Sequence, residues 1–493
     1  MKRMRRGIAW AVLLALALAL SGARAEEGGA QPGGRPLYEL HISLLENEQS
    51  LLVYQQVTYT NDTGRDLRYV LFQVYANALR RQSSAPFDAD DEPYRNGFAP
   101  GGADFLSVQV NGEACEWGMQ GESECFMRVA CDLKAGEQAR FQFSYYVLLP
   151  EVEGYLGAGT DWRLNAFYPA LCVFDAHTDD FVLGAMSAVC DAYYAQMSDY
   201  VVTLELPEDY RVACFGQPVN LDEQNGRVSW RIEAQSVREI ALSLSKYREY
   251  TDALESGVTL RVLSGSALAA RRIREAADQA LSLFGEWFGA YPYDVLTVTE
   301  SACLTDGDSA SGLIFLNASL FSWNQGDELK AELVRQLARQ WFGALVGSDP
   351  VREPWLQATL SEYAELMWVE STQGHKAYLK QLNAQAVPAL RVTIPGGLTV
   401  DSAADRFSAR SEFQTIVLDR GIAVMHELRE TMGEEAFLEA LRLYAQANAG
   451  SLASIEDFAA AIDEAAGRRL DEYLVGQLQT ISDYAGHDVQ PYD

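Results

Sequence analysis

The chain has 493 residues, 48% hydrophobic and 11% aromatic, enough apolar material for two or three packed domains and too much for a disordered chain. Its 69 Asp and Glu against 39 Lys and Arg give a net charge of −30, which argues against nucleic acid and anionic lipid as partners. An acidic coat also keeps a protein in solution, so no partner is read from it.

In chain order, the first element is a leader. Met1-Lys2-Arg3-Met4-Arg5-Arg6 is basic, Ile8 to Leu20 is apolar, and Ala23-Arg24-Ala25 is a small-residue cleavage signal. Residues 1–25 therefore read as a signal peptide and the product as secreted or extracytoplasmic. The apolar run is short for a bilayer crossing and no cysteine follows it to carry a lipid, so no transmembrane segment is expected after cleavage. Residues 26–36 are a turn-rich linker with nothing to bury.

From 37 to about 250, short runs alternate apolar and polar residues, as in Leu51 to Tyr59, and are broken by turns such as Asn61-Asp62-Thr63-Gly64. That pattern predicts a β-rich domain. From 251 to 432 the period becomes helical, starting with a helix over Ala267 to Phe288. Residues 433–493 form a last segment, helical from Gly433 to Gln479. Seven cysteines stand at 115, 125, 131, 172, 190, 214 and 303, none in a C-x-x-C arrangement. Cys115, Cys125 and Cys131 are close enough in sequence to pair across neighbouring strands, and the odd total leaves at least one thiol free.

The most specific segment is Arg335-Gln336-Leu337-Ala338-Arg339-Gln340-Trp341-Phe342-Gly343, followed by Trp355-Leu356. It resembles the H-E-L-A-H-Q-W-F-G helix and the later W-L-N-E-G helix of the aminopeptidase N family, gluzincin zinc metallopeptidases. Tyr59-Thr60-Asn61, Val70 to Ala78, Asp199 to Thr203 and Gly289 to Val298 are similar to other strands of that family. The resemblance implies an α+β fold: an N-terminal β-rich saddle or sandwich domain over 37–250, a thermolysin-like α/β domain over 251–432, and a short helical end over 433–493.

It also implies a site, and the residues there have changed. Where active relatives hold zinc with two histidines and a glutamate, this chain has Arg335, Arg339 and Ala358. Zinc needs electron-pair donors, and a guanidinium stays protonated, offers no lone pair and repels a dication. The general base is replaced by Gln336, which cannot take a proton near neutral pH. The tyrosine that stabilises the oxyanion is replaced by Leu418, which offers no donor. The loop glutamate that holds a substrate's amino terminus is replaced by Ser309; Asp308 beside it is either a partial substitute or part of a plain polar turn. None of the five histidines, 41, 177, 375, 426 and 487, lies three or four residues from another, so neither a metal site nor a cofactor is expected. His426 follows the Arg420-Gly421 helix start and is either within reach of the cleft or structural.

Arg335 and Arg339 stand one turn apart on a helix whose apolar side carries Leu333, Leu337, Trp341 and Leu345. Two readings stay open: guanidiniums paired with Glu332 or Glu362, or an anion pocket for a carboxylate or phosphate. The functional expectation is a secreted aminopeptidase-like pseudoenzyme that binds a peptide or protein without zinc-dependent hydrolysis. The alternatives are an active metallopeptidase with rearranged ligands, drawn from Glu362, Asp306, Asp308 and Cys303, or a structural or adhesion protein.

Overall fold

The computed structural model describes residues 34–480 and 490–492, apart from 88–90, 92, 95, 155, 185–186, 190–192 and 393–395. The expected signal peptide, most of the linker, Cys190 and His487 lie outside the described residues.

The first strand begins at Leu37, where the alternation starts. Leu37–Leu45 and Ser198–Pro207 each bury every second side chain, as a sheet with one face on a core requires. They pair in parallel at the centre of an eight-stranded sheet. Its order runs Val219–Gln224, Arg227–Val237, Ser198–Pro207, Leu37–Leu45, Ser50–Thr60, Gln138–Leu148, Gly102–Val110, Glu113–Ala114. A four-stranded sheet containing Leu67–Gln73 and Phe126–Leu133 supplies further aromatic packing, with Phe72 edge-on to Phe141 and Phe143.

A separate five-stranded sheet runs Arg248–Ala253, Thr259–Ser264, Val295–Ser301, Leu313–Asn317, Gly307–Ala310. Its first strand therefore straddles residue 250. Helix α1 (Ala267–Phe288) is capped by the Ser266 hydroxyl, which accepts from the Ala269 N–H, and lays Ile273, Ala277, Phe284 and Phe288 against this half's core. Helices α2 (Gly326–Ala338), α3 (Trp355–Gln373) and α4 (His375–Arg391) follow, then α5 (Gly421–Met432), α6 (Glu434–Ala447), α7 (Ile455–Ala466) and α8 (Asp471–Leu478). One apolar core joins residues 254 to 478 and another joins 38 to 244 with Tyr293. The chain is thus α+β, with a β-rich first part and helices towards its end. Among the described residues no helix is long and apolar enough to cross a membrane.

Candidate ligand cleft

Helix α2 ends at Ala338, short of the expected continuous helix through Leu345. The Gln340 and Trp341 N–H groups bond back three residues, to the Leu337 and Ala338 carbonyls, tightening the last turn. Gly343, at φ 145°, then turns the chain away. The buried Trp341 packs from this turn, its indole N–H donating to the Gly289 carbonyl at 3.0 Å. Arg339 is the capping residue of α2 rather than a position inside it.

Between the end of α2, the start of α3, the edge strand Gly307–Ala310 and the segment before α5 lies a cleft of about 740 Å³. Asp308, Ser309, Arg335, Gln336, Arg339, Ala358, Glu362 and Leu418 line it, as do the further candidates Asp306 and Glu332, whereas Cys303 and His426 do not. Asp308 and Ser309 belong to an edge strand, not to a polar turn. Leu418 lies in a π-helical stretch, Gln414–Arg420, that runs without a break into α5, so the expected helix start at 418–421 is the middle of a longer helical run. The Val417 carbonyl accepts from the Thr359 hydroxyl at 2.6 Å. Gly421 packs so closely there that a β-carbon would sit 2.5 Å from Thr359 Oγ1.

At the floor, one guanidinium holds two carboxylates. Arg335 Nε lies 2.6 Å from Glu362 Oε2, and its Nη1 donates to Glu332 Oε2. The Gln336 amide donates to Glu332 Oε1 at 2.7 Å, and Gln385 from α4 donates to Glu362 Oε1 at 3.1 Å. The side chains of Glu332 and Glu362 are only 6% and 3% exposed, so this is a desolvated cluster rather than a surface pair. Burial alone would depress the Arg335 pKa, but Glu362, Glu332 and Glu365 outweigh it and hold the guanidinium more firmly protonated than usual. Burial pushes Glu365, one turn along α3, up to about 7, although Arg335 opposes that shift.

With Arg335 committed to two carboxylates, the pair of uncommitted guanidiniums that an anion pocket needs is not there. Asp308 is committed too: it pairs with the buried Arg163, which also donates to Cys303 Sγ at 3.1 Å and lies 4.3 Å above the Phe315 ring. Burial pushes the Cys303 thiol up to about 12. His426 is not a cleft residue; it is buried with Nδ1 2.7 Å from the Tyr378 hydroxyl and Tyr492 edge-on to its ring. The contributions of Arg163, Gln385 and Glu365 carried no sequence signal, since they come from elements brought together only by folding.

The residues do not fit zinc. Two of the three ligand positions are cations, the third is a methyl group, and the nearest carboxylates already neutralise Arg335. Several polar atoms of the cleft lining have no hydrogen-bond partner among the described residues: Asn165 Oδ1, Gln336 Oε1, Ser361 Oγ and Gln385 Oε1. Buried polar atoms are normally satisfied, so these suit a hydrogen-bonding ligand or water.

Residues 310–477 match the Peptidase family M1 domain. The chain is 25% identical over 272 residues to aminopeptidase N of Streptomyces lividans, a match covering 52% of this chain and 32% of that protein. It is 26% identical over 200 residues to matrix non-peptidase homolog 1 of Caenorhabditis elegans, covering 40% and 24%. The matched stretch is thus about a third or less of those relatives' length. The M1 zinc metallopeptidase of Deinococcus radiodurans superposes with a TM-score of 0.67 at 18% identity, over 90% of this chain and 95% of that one. Another structure of that enzyme, a mutant, holds a Tyr-Ser-Ala substrate.

Proposed function

We propose that this aminopeptidase N-like chain, with its M1 peptidase domain over residues 310–477 and the fold of the M1 zinc metallopeptidases, binds extended peptide or protein segments in its cleft without hydrolysing them. One observation carries the reading. The first ligand position is Arg335, and its charge is spent holding Glu332 and Glu362, so an ion pair stands where active relatives hold a metal. The base, amino-terminus and oxyanion positions, Gln336, Ser309 and Leu418, supply none of the groups that hydrolysis needs.

Peptide binding does not depend on those groups. The strand Gly307–Ala310 is the last of its sheet, so its outer edge offers backbone donors and acceptors to an added strand. The unpartnered amide oxygens of Gln336 and Gln385 suit peptide N–H groups across the cleft. The cleft volume admits a short extended segment. A relative whose name marks it as a non-peptidase gives the reading a precedent, and a mutant M1 zinc metallopeptidase of the same fold bound to a Tyr-Ser-Ala substrate supports a peptide as the class of ligand.

The rearranged-ligand alternative is not favoured: Glu362 and Asp308 are neutralised by arginines, and Cys303 is a buried thiol. An adhesion role with a filled cleft is disfavoured by the open volume. Calorimetric titration with a library of extended peptides, each recovered intact afterwards by mass spectrometry, tests the reading. Saturable binding that weakens in Gln336→Leu with Gln385→Leu supports it; chelator-sensitive cleavage, or no binding by any peptide, overturns it.

A further inference from the structure

We propose that Cys115 and Cys131 form a cross-strand disulfide when the chain meets a disulfide oxidant, an oxidation site separate from the cleft. The hairpin register carries the inference. Trp117 pairs with Val129 and Gln120 with Phe126 in antiparallel strands, and that register, continued two residues past its last pair, brings Cys115 towards Cys131. The Ala130 N–H donates to the Glu116 carbonyl at 2.9 Å, which extends the ladder one residue beyond the named strand and makes 116 and 130 a hydrogen-bonded pair. Cys115 and Cys131 are the next residues beyond that bond, although the strand carrying Cys131 has a register irregularity between Ala130 and Leu133 where it pairs with Leu67–Gln73; at a non-hydrogen-bonded position opposed α-carbons approach to about 4.5 Å. That spacing lies within the range a disulfide bridges.

The Cys115 thiol donates to the Val108 carbonyl at 3.8 Å, and the other described thiols sit elsewhere. Cys125 faces the Ser123 carbonyl, Cys214 and Cys303 lie beside Arg261 and Arg163, and Cys172 is buried. Cys115 and Cys131 are both only half-buried and pack on the same apolar core, within reach of a small oxidant. The electrostatic influence of Cys115 on Cys131 agrees with their juxtaposition. Burial raises both thiols, with Cys131 pushed up to about 11, so exchange is slow at neutral pH and faster in mild alkali.

The chemistry is thiol–disulfide exchange. The Cys115 thiolate attacks a small disulfide, releasing one thiol and leaving a mixed disulfide; the Cys131 thiolate then attacks the Cys115 sulfur and releases the second. Two protein thiols are oxidised, two electrons pass to the oxidant, and two small-molecule thiols form. An exported chain, as residues 1–25 suggest, would meet such an oxidant.

The test equilibrates the full chain with oxidised and reduced glutathione at pH 8.5, alkylates it and maps the peptides. The expected result is a species lighter by two hydrogens, linking the peptide that contains Cys115 to Val129–Lys134, and preserved in Cys125→Ser. Cys115→Ser should lose the linkage. Retention of a linkage in Cys115→Ser but not in Cys125→Ser would overturn the assignment. So would full alkylation of both cysteines in the wild type at a constant, oxidising mixture. The mapping of the wild-type chain does not depend on the variants folding.

Discussion

Arg335 Nε lies 2.6 Å from Glu362 Oε2, joining the end of α2 to α3 across the floor of the cleft. The nitrogen reaches the carboxylate as a charge contact without an aligned hydrogen bond, while Nη1 donates to Glu332. A positive charge is thus held at the floor of the cleft between the end of α2 and α3.

Removing that charge should destabilise the fold. Arg335→Met leaves Glu332 and Glu362 buried without compensation, a loss of about 3–5 kcal/mol for a buried pair. Glu362→Gln added to it should cost less than the sum of the two single changes, because the groups share one interaction. Denaturant titration of the two single variants and the double variant measures this; strict additivity would show that the pair is not coupled.

Stability should fall as pH rises from about 4.5 to about 7. Glu365, buried beside Glu362, Glu332 and Arg335 and accepting from Gln381, has its pKa raised from 4.5 to about 7. The folded state therefore binds its proton more tightly than the unfolded state, so its contribution is full below about 4.5 and is lost as pH climbs to about 7. Asp419, raised from 3.8 to about 6, adds a loss in the same direction. Glu365→Gln should flatten the profile between pH 5 and pH 8 and be relatively more stable than wild type at pH 8. An unchanged slope in that variant would assign the titration elsewhere.

Much of this site was legible in the sequence because motif spacing fixes which positions converge: residues from 308 to 418 were aligned by pattern alone and all face one cleft. Glu332 and Glu362 were also expected as partners of the arginines, and Arg335 engages both. The early end of α2 was not legible, since Leu333, Leu337 and Trp341 keep a helical period while Gly343 and the Trp341 bond to Gly289 redirect the backbone. Nor was the commitment of Asp308 to Arg163, which lie 145 residues apart. The π-helical stretch before α5, whose Val417 carbonyl accepts from Thr359 on α3, has no sign in the local pattern.

Restoring ligands alone should not restore turnover. Arg335→His, Arg339→His and Ala358→Glu together supply zinc donors, but the base, amino-terminus anchor and oxyanion donor would still be Gln336, Ser309 and Leu418. Zinc uptake with aminopeptidase activity near background is expected from the triple variant. Activity should rise only when Gln336→Glu, Ser309→Glu and Leu418→Tyr are added. Substantial turnover by the triple variant would show that those three positions are dispensable.

Close packing of α3 on the π-helical run predicts a cost at Gly421. Gly421→Ala would place a methyl 2.5 Å from Thr359 Oγ1 and 2.6 Å from its methyl carbon, an overpacking of about 1–3 kcal/mol. Thr359→Ala in the same chain should recover part of the loss, as read from melting temperatures. Equal stability of Gly421→Ala and wild type would mean that the helices separate freely.

On the proposed function, the Arg335 ion pair takes the place of a bound metal. Elemental analysis of the full chain, incubated with excess zinc and then passed through gel filtration and dialysis, tests it most directly. Far less than one zinc per chain is expected, together with no chelator-sensitive cleavage of aminoacyl reporters. One zinc per chain surviving dialysis would contradict it.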